Sequence, residues 1–246
     1  MRLFGKNPVI ERLRANPATI KTVYIQHDFN DRAYIQTKAK QKKVSLSVVD
    51  AGRMSKMAKG VNHQGIMADV DDFFYSDFNE LLDEALEKKR CPVFLDELTD
   101  PQNLGAIIRT LGCLGKFSII LPVRESVGIT EAVLRVACGG ENYVPIAKVN
   151  NLYNAIMKAK EAGFFIAGAV VENGQNIADA QMSFPWAVVV GSEQKGIREM
   201  IRKKLDAQLT IPMAVSTMAL NAAQATGILC YEITRRTYVK KQERKQ

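Results

Sequence analysis

The stretch Val93-Phe94-Leu95-Asp96-Glu97-Leu98-Thr99-Asp100-Pro101-Gln102-Asn103-Leu104-Gly105 decides the fold, because it runs from an apolar strand through a polar turn into a helix. Beyond the turn, Leu104, Ile107, Ile108 and Leu111 recur at helical spacing. The same rhythm continues outward. Residues 118–121 read as a strand, 130–138 as a helix, 152–162 as a helix and 164–171 as a strand. Strands at 187–190 and 209–211 and a long final helix over 219–236 complete the series. Strands apolar on both faces, alternating with helices, predict an α/β domain built on a parallel sheet.

Towards the N-terminus the elements are shorter. Residues 8–13 and 31–43 have helical spacing, and 22–26, 44–49 and 65–70 read as strands. Residues 69–90 are charged, with a helix over about 78–89 that ends in a lysine-arginine cluster before Cys91-Pro92. The expected organisation is a small module over 1–72, a linker over 73–90 and the sheet domain over 91–246. The polar, basic tail from Lys240 to Gln246 is expected to fray.

Composition narrows the function. The chain of 246 residues is 47% hydrophobic, enough for a packed core, and 34 basic against 26 acidic side chains give a net charge of +8. That balance fits a polyanionic partner, nucleic acid being the commonest, and fits a merely soluble basic protein equally well. The four cysteines, Cys91, Cys113, Cys138 and Cys230, form no C-x-x-C pair and are expected as buried free thiols. With only His27 and His63 beside them, no metal site is expected. The N-terminus lacks the apolar run of a signal peptide, and no stretch approaches the roughly 20 apolar residues of a membrane span. The expectation is a cytoplasmic protein with no membrane contact.

Ligands of open α/β sheets bind at the carboxyl ends of strands. Three ends are rich in polar chemistry: 96–105 with Arg109 beyond it, 190–196, and 210–213 followed by 219–223. Each has an ordinary structural reading. Asn103 could cap its helix, Gly191 and Gly196 could serve a tight turn, and Ile211-Pro212 could end an edge strand. No G-x-G-x-x-G follows a strand, so the dinucleotide fingerprint is absent.

In order and spacing, the three segments resemble the motifs of the SpoU family of RNA 2′-O-ribose methyltransferases, within the SPOUT class. The first is Asp100-Pro101-Gln102-Asn103-Leu104-Gly105-Ala106 with Arg109; the second is Gly191-Ser192-Glu193 with Gly196. The third is Ile211-Pro212-Met213 with Leu220-Asn221. Gly5-Lys6-Asn7-Pro8-Val9 and His63-Gln64-Gly65-Ile66 resemble the family's L30e-like RNA-binding module, and the two-domain layout resembles the subgroup acting on 23S rRNA guanosine. The resemblance implies a C-terminal domain with a deep trefoil knot, an exception to unknotted topology. It also implies S-adenosylmethionine as cofactor, held by Gly191, Ile211, Met213 and Leu220, a homodimer through the knotted domain, and structured RNA, ribosomal rather than transfer RNA, as substrate.

The resemblance places the chemistry on Asn103, Arg109, Glu193 and Asn221. A guanidinium keeps its proton at neutral pH, so Arg109 is read as an electrostatic clamp on phosphate or a developing alkoxide. Glu193 would hold Arg109 or the nucleotide, with Asn103 and Asn221 orienting the cluster. The chain departs from the family pattern at Ala219, where a serine is usual, and at Ala223 and Gln194. Ser216 or Thr217 is near enough in sequence to supply the missing hydroxyl. The alternatives are a transfer RNA ribose methyltransferase, or an RNA-binding protein with weak or no transferase activity.

Overall fold

A computed structural model describes residues 1–181, 184–215 and 218–243. The contacts divide the chain into two compact units, Met1–Phe74 with Ile129–Tyr143, and Tyr75–Gly128 with Val144–Gln246. Ser216 and Thr217 lie outside the described residues.

The first unit runs β1 (Arg2–Phe4), α1 (Lys6–Ala15), β2 (Ile20–Gln26), α2 (Arg32–Gln41), β3 (Leu46–Val49), α3 (Ala51–Ala58) and β4 (Ile66–Val70). Its four-stranded sheet has the order β1-β4-β2-β3. β4 is antiparallel to both β1 and β2, while β2 and β3 are parallel through the α2 crossover. Val9, Leu13, Val23, Ile25, Ile35, Ile66 and Met67 form its core. Asp50 starts α3 by accepting a hydrogen bond from the Arg53 backbone N–H at 2.8 Å.

The second unit begins with α4 (Phe78–Glu87), β5 (Cys91–Leu95), α5 (Pro101–Leu114) and β6 (Phe117–Pro122). α6 (Glu131–Ala137) follows in sequence but groups with the first unit. Within that unit, Glu141 just beyond α6 forms a buried ion pair with Arg12 of α1 at 3.0 Å. The chain then resumes with β7 (Ile146–Val149), α7 (Leu152–Glu161), β8 (Phe165–Ala169), β9 (Gln175–Asn176), β10 (Trp186–Val190), α8 (Glu199–Arg202), β11 (Ala207–Thr210) and α9 (Ala222–Glu243). All seven strands are parallel, in the order β7-β6-β5-β10-β8-β11-β9.

β5, β6 and β10 are buried along their whole length, which is why they read as continuous apolar runs. Strand order reverses about β5 and β10, so the crevice at a topological switch point lies beside Leu95 and Val190. α5 packs against α9. Asp100 caps α5 by accepting from the Gln102 N–H at 2.8 Å, with Pro101 at the first helical position.

Three expectations are corrected. Asn103 does not cap α5, since Asp100 does. The last helix starts at Ala222 rather than 219, because Asn221 is its cap: Asn221 Oδ1 accepts from the Gln224 N–H at 2.8 Å, and Gln224 Oε1 accepts from the Asn221 N–H at 3.2 Å. Only Cys91 and Cys230 are buried; Cys113 is exposed on α5 and Cys138 is half-buried. Burial pushes both the Cys91 and the Cys230 thiol pKa up, which keeps them protonated. No helix among the described residues is long and apolar enough to cross a membrane.

Candidate active site

The site is built where β10 ends and the chain doubles back at once. A Cβ added to Gly191 would lie 2.0 Å from the Gly196 carbonyl carbon, so no larger residue fits without moving backbone. Gly196, with φ +66°, donates its N–H to the Ser192 carbonyl at 2.9 Å and closes the turn. The Lys195 N–H adds a bond to Ser192 Oγ at 3.3 Å.

The far end of this turn is anchored to β5. Asp96, fully buried directly after that strand, accepts from the Arg198 backbone N–H at 3.0 Å and from its Nε at 2.8 Å. Arg198 Nη2 lies 2.6 Å from the same carboxylate. Burial alone would lower the Arg198 pKa, but the hydrogen bond and charge of Asp96, with Glu97, outweigh it and raise the value. Glu97 also receives Lys195 at 3.2 Å. Two carboxylates at one strand end therefore hold the whole 191–198 turn. Asp96 and Glu97 stand in the first polar strand end, but nothing in the sequence around them points to Arg198, 102 residues on.

Glu193 sits at the tip of the turn and joins two helices. Its Oε1 accepts a short hydrogen bond from Asn103 Nδ2 in the first turn of α5. The same oxygen accepts from the Ala222 N–H, the first residue of α9, at 3.2 Å. A carboxylate there satisfies a donor that the helix itself leaves open and suits the positive end of the helix dipole. Asn221, immediately before, uses its side-chain Oδ1 for capping. Asn103, Glu193 and the start of α9 are thus one hydrogen-bonded junction. Arg109 is exposed on α5, six residues past Asn103, about 9 Å of helix rise.

A cavity of about 440 Å³ opens beside this junction, at the carboxyl ends of β8, β10 and β11. Gly191, Ile211, Met213 and Leu220 all line it, together with Glu193 and Ala219. Val190, Leu209 and Ile211 supply an apolar wall, and Glu172, Lys195 and Arg202 supply charge of both signs. The volume is in the range of small-molecule sites, and the lining suits a ligand with apolar surface and charges of both signs. Ala219 is exposed at its rim and offers no hydroxyl. Ile211 follows β11, which is flanked by β8 and β9 and is not an edge strand. Among the described residues, no group of three or more His, Cys, Asp or Glu is placed to hold a metal ion.

Comparison with known proteins gives matching results for both parts of the chain. Residues 90–231 match the model of the SpoU rRNA Methylase family, and residues 2–76 match that for RNA 2′-O ribose methyltransferase substrate binding. A Synechocystis protein named as an uncharacterized tRNA/rRNA methyltransferase is 39% identical over 95% of this chain, which spans 62% of that protein's length. The 23S rRNA (guanosine-2′-O-)-methyltransferase of Pseudomonas syringae pv. tomato is 31% identical, with 98% of this chain and 97% of that protein covered. The crystal structure of an AdoMet-bound rRNA methyltransferase from Sinorhizobium meliloti superposes with a TM-score of 0.77 at 25% identity, covering 96% of this chain and 87% of that one.

Proposed function

The chain belongs to the SpoU rRNA Methylase family, and from that premise we propose that it transfers the methyl group of S-adenosylmethionine to a ribose 2′-hydroxyl of a guanosine in 23S ribosomal RNA. The observation that carries the reading is convergence. Gly191, Ile211, Met213 and Leu220, which follow two different strands, line one cavity that shares Glu193 with the Asn103–α9 junction. The amphiphilic lining fits S-adenosylmethionine, whose sulfonium supplies an electrophilic methyl group when bound. The relative from Pseudomonas syringae supports the guanosine of 23S RNA, and relatives named tRNA/rRNA methyltransferase keep transfer RNA as the alternative substrate.

In this reading the tight Gly191 turn brings backbone against the cofactor, and the apolar wall excludes water. Glu193 holds Asn103 and the α9 start in fixed relation. The Nδ2 amide of Asn221, not used in capping, orients the nucleotide. Arg109 clamps the phosphate or the developing alkoxide, and positioning of this kind can recover roughly 7–11 kcal/mol of barrier. Residues 1–72 bind the RNA and 91–246 carry the transfer, while 73–90 connect them in sequence and contribute α4, whose Leu81, Leu82 and Ala85 are buried in the core of the second unit. Two copies pair through this last domain, whose C-terminal segment is threaded as a trefoil knot, and the protein works in the cytoplasm.

The test uses purified protein, methyl-labelled S-adenosylmethionine and bacterial RNA lacking this modification. Label should be recovered as 2′-O-methylguanosine after nuclease digestion. Arg109→Ala should lower single-turnover transfer about 10²–10³-fold with cofactor affinity unchanged. Arg109→Lys should rescue poorly, because a point charge lacks the guanidinium fork. Label on a base, or full activity in Arg109→Ala, would overturn the assignment. Ala219 favours a second reading, an RNA-binding protein with weak transferase activity. RNA binding without label transfer would establish that one.

A further inference from the structure

The sequence segments around Gly5 and Gly65 meet in the first unit and shape a second cavity, of about 320 Å³, lined by Lys6, Gln26, Asp28, Phe29, Gln64 and Gly65, with Asn30 and Asp31 at its side. The Gly5 N–H donates to the Ile66 carbonyl at 3.1 Å, and the Lys6 N–H to Gln64 Oε1 at 3.2 Å. Both glycines have positive φ, +92° and +79°. A Cβ on Gly65 would lie 3.0 Å from Gln26 Oε1 and 3.1 Å from the Phe29 ring, so this glycine keeps the floor open. The wall from Gln26 to Arg32 is prefolded: the Arg32 N–H donates to the Phe29 carbonyl at 3.0 Å, and Arg32 Nη1 to the His27 carbonyl at 3.2 Å.

The polar groups of the cavity are not all committed. Lys6 and Asp31 neutralise each other at 2.5 Å. The first free N–H of α1 is taken by Gln64, so the helix start offers no ready anion site. Asp28 and Asn30 are exposed and line the cavity, and their side chains have no hydrogen-bond or ion-pair partner among the described residues. What remains is one uncommitted carboxylate, amide groups and the edge or face of a half-buried phenyl ring. That set rejects phosphate, which would meet Asp28 with like charge. It accepts a flat group that presents adjacent N–H donors.

We propose that this cavity holds an unpaired nucleobase of the RNA substrate, with guanine preferred. Unpaired RNA bases are read by stacking on aromatic side chains and by hydrogen bonds to their Watson–Crick edges. Guanine N1–H and N2–H₂ are neighbouring donors that match the two oxygens of Asp28, whereas adenine and cytosine set a ring acceptor beside their amino group and uracil flanks its single N–H with two carbonyls. The surrounding surface supplies affinity: residues 1–74 carry 13 Lys and Arg against 7 Asp and Glu, a net +6. A carboxylate in a basic module costs affinity for the RNA backbone and gains discrimination between bases. The proposal rests on the RNA-modifying reading above.

The test measures binding of the full chain to hairpin RNAs with one stem and a loop carrying a single guanosine, inosine, adenosine or abasic site. The guanosine loop should bind about tenfold more tightly than the abasic loop, the low end for a bidentate base contact. Inosine, lacking N2–H₂, should lose most of that gain. Asp28→Asn should erase the difference between the guanosine and abasic loops, while abasic binding tightens slightly because a negative charge is removed from the basic module. Equal, salt-sensitive binding of all four loops would overturn the base pocket and leave RNA recognition standing. Absence of binding to any RNA, including total ribosomal RNA, would remove both.

Discussion

Residues 1–74 hold 13 basic and 7 acidic side chains, while residues 75–246 hold 21 and 19, a net +6 against +2. The larger cavity has the opposite distribution: every residue that lines it belongs to the second unit. On the reading proposed above, attraction to a polyanion and binding of a small charged ligand reside in different parts of the chain. Long-range attraction needs only summed charge and tolerates exposed lysines on α2 and α3. The ligand cavity needs fixed geometry, and the second unit holds its turn with the buried Asp96 and the close-packed Gly191.

The comparison breaks most sharply at Gly191. Gly191→Ala must displace the Gly196 backbone, so cofactor affinity should fall more than about 100-fold, beyond the cost of one lost contact. RNA affinity should stay within about twofold of the parent. Calorimetry with S-adenosylmethionine and anisotropy with labelled RNA check the two arms. Parallel loss of both would show that the units do not divide the work.

The segment 129–143 is the point where the division leaves sequence order. Arg12 and Glu141 are buried together, and burial raises the Glu141 pKa against the lowering effect of Arg12. Arg12→Ala leaves Glu141 buried without its partner and should cost about 3–5 kcal/mol in urea unfolding. Arg12→Met with Glu141→Leu should recover most of that loss. An unchanged stability in Arg12→Ala would detach the segment from the first unit.

A smaller effect is expected at the charged surface. Lys40, Lys42 and Lys43 are exposed at the end of α2. Changing all three to Gln should weaken RNA binding roughly tenfold at 0.1 M salt and reduce the log–log salt slope by about 2–3. Cofactor affinity should not move. An unaltered slope would place the phosphate contacts elsewhere.

The smallest effect concerns the end of α9. Arg236 donates to the carbonyls of Ile177, Ala178 and Ala180, and Glu232 Oε1 holds its Nε at 2.7 Å. The Arg235 hydrogen bond, aided by Arg236, lowers the Glu232 pKa to about 2. A depressed carboxylate contributes fully above its unfolded value of about 4.3, and the contribution is lost as pH falls towards 2. Glu232→Gln should lower Tm by about 2 °C or less at neutral pH, and the difference should vanish near pH 2. Thermal unfolding across that range reads it, and a constant offset at every pH would exclude the ionised pair as cause.

The parallel sheet was legible because β5, β6 and β10 are covered on both faces and leave unbroken apolar runs. The polar ends after β5 and β10 were legible for the same reason, each standing out against such a run, while the third follows the short, half-buried β11. Short elements were not: β1, α3, β7, α8 and the two-residue β9 have too few residues for a period to register. Helix 130–138 was legible from its apolar positions, but Val133 and Leu134 state that they are buried and not against what. Asp96 and Arg198 lie 102 residues apart, and only the fold brings them together. A separation of 90 residues hid the Glu193–Asn103 bond, and the cavity around Asp28 draws its lining from residues as far apart as Lys6 and Gly65.

The central claim is that this chain methylates a ribose hydroxyl of ribosomal RNA. A map of ribose 2′-O-methylation across total RNA, from otherwise identical cells with and without the chain, tests it most directly. One 2′-O-methylguanosine in 23S RNA should be lost without the chain, and restored by the wild-type chain but not by Arg109→Ala. Identical maps, or a change confined to base methylation, would contradict it.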